Sequence, residues 1–130
     1  MTMQVDLVSP ERILYSGEAE MVLARTSEGE IAFLTGHAPF IGALGIGRVI
    51  IRPAGGADEI AAVHGGFVEV SNDRVTILSD VAELASQIDV QRAQRALDEG
   101  ERRTMEADDA EALARLARAR LRVQVAGGTA

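Results

Sequence analysis

Along the first part of the chain apolar side chains fall on alternate positions, the spacing that places them on one face of a strand. Val5 and Leu7 alternate with Gln4 and Asp6, and Met21 and Leu23 with Glu20 and Val22. Val49 and Ile51 lie among Arg48, Ile50 and Arg52, while Val68 and Val70 flank Glu69 and Val75 and Ile77 flank Thr76. Turn formers separate these runs: Ser9-Pro10, Ser16-Gly17, Ser27-Glu28-Gly29, Pro53-Ala54-Gly55-Gly56 and Ser71-Asn72-Asp73. Asn and Asp tolerate left-handed backbone, so the last of these predicts a tight hairpin. Many short strands with no helical stretch between them predict a mainly antiparallel sandwich or barrel.

From Asp89 the period changes. Asp89 is a credible N-cap for a helix through Val90, Ala93 and Leu97 to about Arg103, with a turn near Met105 to Ala107. A second helix follows from about Asp108 to Val123, with Leu113, Leu116, Ala117 and Leu121 along one side. Acids at its start and arginines in its later turns suit the helix dipole. On the first helix, Arg95 with Glu99 and Asp98 with Arg102 have the spacing of ion pairs on a solvated face. The expected fold is therefore mainly β with α: an N-terminal antiparallel β-sandwich or barrel over residues 1–88, then an antiparallel two-helix hairpin over residues 89–130. Thin, alanine-rich helix faces bury little area, so docking of the hairpin on the sandwich should be marginal.

One stretch departs from the strand pattern. Gly29 to Gly47 carries five glycines, Pro39 and His37 within an apolar run, which predicts a shaped apolar loop covered by its own sheet or by a partner.

Composition narrows the function. The chain has 130 residues, no cysteine and a formal net charge of −7, and all of its basic side chains except the two histidines are arginine. Disulfide and thiol chemistry are excluded, and so is a phosphate loop that requires lysine. An acidic chain with four aromatic residues is a poor nucleic-acid binder. The start, with Asp6 and Glu11, does not read as a signal peptide, and the longest apolar run is too short to span a membrane. Charge is uneven: residues 1–88 hold 5 arginines against 12 acids, residues 89–130 hold 8 of each. That shift supports a boundary near Asp89.

The pattern Gly29-Glu30-Ile31, Leu34, Gly36-His37-Ala38-Pro39-Phe40, Leu44 and Gly47 resembles the signature of the epsilon subunit of bacterial F-type ATP synthases. Gly65-Gly66-Phe67-Val68-Glu69-Val70, Val75-Thr76-Ile77-Leu78 and Ala82-Glu83 extend the likeness over nearly the whole chain. The resemblance implies a non-catalytic rotor subunit at the foot of the central stalk, peripheral to the cytoplasmic face of the inner membrane, coupling proton flow to ATP synthesis. Its partners would be the gamma subunit and the c-ring, met through Glu30, His37, Ala38, Pro39, Phe40, Ile41 and Leu44. The helices would be regulatory, reaching the beta subunits when extended and inhibiting ATP hydrolysis.

Ile88-Asp89-Val90-Gln91-Arg92-Ala93 is similar to the motif by which some epsilon subunits bind ATP. The resemblance implies a regulatory nucleotide, required by no chemistry, held by Glu83, Asp89 and Arg92 with Arg115, Arg118 and Arg122. Arginine can grip phosphate and an aspartate can accept from ribose or base. The simpler reading is that Asp89 caps a helix, Arg92 supports its first turn and the arginine stripe is solvated. A rival from another class is a stand-alone cupin-like β-barrel enzyme using His37, His64 and an acid as metal ligands. The two histidines lack the spacing of a recognised metal motif, which favours structural roles within turns.

Overall fold

Alternation becomes strands at Met3–Val8 (β1), Ile13–Thr26 (β2), Gly29–Leu34 (β3), Phe40–Pro53 (β4), Glu59–Ser71 (β5), Arg74–Leu78 (β6) and Ala82–Leu84 (β7). A 3-10 turn over Ala85–Gln87 then leads to helices Val90–Glu106 (α1) and Ala110–Ala126 (α2). This computed structural model describes residues 1–106 and 109–127.

The strand β1 pairs with β2 antiparallel and with β6 in parallel, so the path β1-β6-β5-β4-β2 returns to its start as a closed barrel. All other pairings among the described residues are antiparallel. Two short strands extend this ring: β3 lies along Met21–Thr26 of β2, and β7 along Ala61–Val63 of β5. Asn72 and Asp73 both have positive φ, 51° and 56°, and form the tight β5–β6 hairpin expected of them.

On β5 glycine reverses the pleat. The inward positions change from Ala61 and Val63 to Val68 and Val70 across Gly65 and Gly66, which have φ of 92° and 119°. A Cβ on Gly66 would sit 2.0 Å from the Leu78 carbonyl oxygen, so the close approach of β5 and β6 needs glycine there. The barrel interior is one apolar cluster including Met3, Val5, Leu7, Val22, Phe33, Val49, Ile51, Val68, Val75 and Ile77.

Several expectations need correction. On β2 the buried side chains are Ala19, Val22, Ala24 and Thr26, with Met21 and Leu23 only half-buried, because a register irregularity between Ala19 and Met21 resets which positions face in. Most of the Gly29–Gly47 stretch is strand, and only Thr35–Pro39 lies outside β3 and β4. Its apolar residues fill both faces of a bent ribbon, which hides the period of two. The first helix continues through Met105 and Glu106, so the helix ends later than expected; the rest of the expected turn, Ala107, lies with Asp108 and residues 128–130 outside the described residues. The buried side of α2 is Leu116, Ala119, Leu121 and Val125, while Leu113 is 49% exposed and Ala117 is exposed. On α1 Ala93 is buried, whereas Val90 is 55% exposed. Among the described residues the side-chain pairs on α1 are Arg103 with Glu99 at 3.1 Å and Gln94 with Asp98 at 3.1 Å, in place of Arg95 with Glu99 and Asp98 with Arg102.

Candidate functional site

Two regions bring together residues with chemistry. The first is the seam where the hairpin meets the barrel. On the outer face of β5, Ile60, Ala62 and His64 point the same way, and β7 adds Glu83 beside Ala62. The hairpin covers this face with Leu121 and Val125 of α2 and Ala93 of α1, joined by Ile88 and flanked by Ile46. At the edge of this apolar patch Arg122 Nε donates to Glu83 Oε1 at 2.7 Å. This partly buried, charge-assisted bond ties the second helix to the barrel.

His64 lies behind that bond. Its side chain is only 2% exposed, Nε2 is 3.8 Å from Glu83 Oε1, and neither ring nitrogen has a hydrogen-bond partner among the described protein atoms. Burial, with Arg122 and Arg118 nearby, lowers its pKa to about 4 against the opposing pull of Glu83. The imidazole is therefore neutral at physiological pH.

Two clefts flank the seam. One, about 370 Å³, is lined by Glu83, Asp89, Arg92 and Arg122 together with apolar groups. The other, about 510 Å³, lies between the helices and is lined by Arg103, Arg115, Arg118 and Arg122 along with Glu99, Asp109 and Glu111. Arg122 and Ala96 border both, so the clefts adjoin. All six residues implied for a nucleotide thus line the adjoining clefts, Glu83, Asp89 and Arg92 the smaller one, Arg115 and Arg118 the larger, and Arg122 both. Several already have local partners: Asp89 Oδ1 accepts from the Arg92 backbone N–H at 3.1 Å, capping α1, and Arg115 pairs with Glu111 at 2.8 Å. Clefts of this size are within the range of small-molecule sites, and the donor set suits a polyphosphate.

The second region is the turn between β3 and β4. His37 Nδ1 donates to the Ala38 carbonyl at 2.7 Å, and its ring packs edge-on against Phe33 at 5.0 Å. Gly36 N–H donates to Asp73 Oδ1 at 2.7 Å, tying this turn to the β5–β6 hairpin. Glu30 pairs with Arg48 at 3.3 Å. Ala38 and Pro39 are exposed and Ile41 is 74% exposed, but Leu44 is buried in the barrel core and presents no surface to a partner. Sequence reasoning missed Phe67 and Leu78, 59% and 50% exposed. They are register partners across β5 and β6, next to Ala43 of β4, so Ile41, Phe67 and Leu78 belong to one uncovered apolar face. The signal was present as apolar residues at outward positions of otherwise well-patterned strands.

The metal-enzyme reading does not survive. His37 sits among Phe33 and Phe40 at the turn and His64 under α2, and among the described residues no three His, Cys, Asp or Glu side chains could hold a metal ion. No described helix is long and apolar enough to cross a membrane.

Residues 2–85 match the family model described as ATP synthase, Delta/Epsilon chain, beta-sandwich domain. Among curated proteins, the ATP synthase epsilon chain of Thermobifida fusca is 50% identical over 125 residues, covering 94% of this chain and 90% of that one. That of Halalkalibacterium halodurans is 41% identical over 131 residues, covering 97% and 98%. The fold resembles a chain in the cryo-EM structure of the Euglena gracilis mitochondrial ATP synthase OSCP/F1/c-ring assembly, with TM-score 0.73 and 21% identity over 97% of this chain and 78% of that one.

Proposed function

The chain belongs to the ATP synthase epsilon chain family, whose members are non-catalytic subunits, and from that premise we propose that its barrel seats the central stalk while its hairpin is a releasable brake on ATP hydrolysis. The observation that carries this reading is the inequality of the two cores. The barrel closes sixteen buried residues within residues 3–77, whereas the hairpin is held by a cluster of five buried residues and the Arg122–Glu83 bond. A seam that small can open while the barrel stays folded.

The apolar face around Ile41, Phe67 and Leu78, with the His37 turn beside it, would meet the gamma subunit and the c-ring; a c-ring is part of the assembly named for the Euglena structure. The barrel would then sit on the cytoplasmic side of the membrane, peripheral to it. Once extended, α2 would carry Arg115, Arg118 and Arg122 toward acidic segments of the beta subunits. A nucleotide in the adjoining clefts would favour the docked hairpin: Arg92, Arg115, Arg118 and Arg122 would hold phosphate, and Glu83 and Asp89 would accept from sugar or base. A ligand that binds only the docked form shifts the balance by RT ln(1 + [ATP]/Kd).

The test is a synthase assembled with a chain ending at residue 88. ATP synthesis should persist and hydrolysis by the soluble head should rise. Unchanged hydrolysis would remove the braking role.

A further inference from the structure

The seam contains a titratable group that neither stalk attachment nor nucleotide binding uses. His64 is enclosed between β5 and α2 with both ring nitrogens unpaired among the described residues, a costly arrangement for an imidazole and a more costly one for an imidazolium. The charged groups facing it are Glu83 from β7 and Arg118 and Arg122 from α2, and its register partner on β4 is the apolar Ile46. Glu83, the single acid among them, is already engaged by Arg122 at 2.7 Å.

We propose that His64 makes the hairpin's attachment acid-sensitive: the neutral ring is covered by α2, and its protonation beside two guanidinium groups drives the hairpin off the barrel. This rests on the reading of a releasable hairpin. It adds a trigger carried within the barrel itself and independent of any nucleotide.

The sign follows from linkage. The docked ring has its pKa lowered to about 4, while a ring exposed by release returns to about 6.5. Docking is at full strength above that upper value and weakens as the pH falls below it. The loss levels off near the lower value, where the docked ring also takes up a proton. Between pH 7.5 and 5.5 the ratio of released to docked hairpin should rise about tenfold.

Amide hydrogen exchange on the full chain, corrected for the intrinsic pH dependence of exchange, reads the opening of α2 directly. The expected result is a tenfold rise in its opening constant from pH 7.5 to 5.5, absent in His64→Gln. A carbon-detected titration of the His64 ring in the unmodified chain should show a midpoint near 4. An equal rise in both proteins, no rise in either, or a ring midpoint near 6.5 would each overturn the proposal. Exchange also separates the two readings. If α2 opens alone but without pH dependence, only the acid trigger fails; if it opens only together with the strands around Val5 and Val68, the releasable hairpin fails as well.

Discussion

Val125 and Val68 are both fully buried valines, one in the hairpin seam and the other in the barrel. Truncation of either to alanine removes two methyl groups, at about 0.8 kcal/mol each in lost transfer energy. The cavity left behind raises the cost to about 2 kcal/mol. For Val68→Ala that cost falls on the barrel and should appear as reduced global stability in urea unfolding monitored by strand amides. For Val125→Ala it should fall on docking alone: α2 amides should exchange about 30-fold faster, because 1.4 kcal/mol corresponds to a factor of ten. The protection of β1, β5 and β6 should be unchanged. Native-state hydrogen exchange at constant pH measures both substitutions by the same method. If Val125→Ala lowers protection of the barrel core as much as Val68→Ala does, seam and barrel form one cooperative unit, and the reasoning from unequal cores is refuted.

Gly66→Ala should destabilise the barrel by several kcal/mol or prevent folding, since its Cβ would collide with the Leu78 carbonyl in a backbone region that side chains avoid; circular dichroism against urea checks this, and a near-native midpoint would contradict it. Arg92→Gln should weaken ATP binding by at least tenfold in calorimetry while the ordinary N-cap by Asp89 keeps α1 intact. Ile41→Asp should leave thermal stability within about 0.5 kcal/mol of the parent, because the side chain is exposed, yet abolish co-purification with stalk subunits.

The fold was legible where local rules and tertiary structure agree. Val68, Val70, Val75 and Ile77 alternate cleanly around Asn72-Asp73, and that hairpin forms as its residues require. The period failed where the backbone changes face within β2, because a reading by twos has no means of registering an inserted irregularity. On α2 Leu116 and Ala119 are buried while Leu113 is exposed, because the contact face is set by where α1 lies, with Leu116 packed against Gly100, and not by side-chain size. The nucleotide motif was visible as a string and the resemblance already grouped Glu83 with Arg122, but the arrival of His64 beside them was not foreseen: only the β5–β7 register and the return of α2 bring it there.

The parallel pairing of β1 with β6 also dictates an order of events during synthesis. Met3–Val8 leaves the ribosome well before Arg74–Leu78, so one of its edges stays unsatisfied until that later strand has emerged. The helices follow the strands along the chain, so on the proposed reading the barrel can close before the hairpin is free to dock on it.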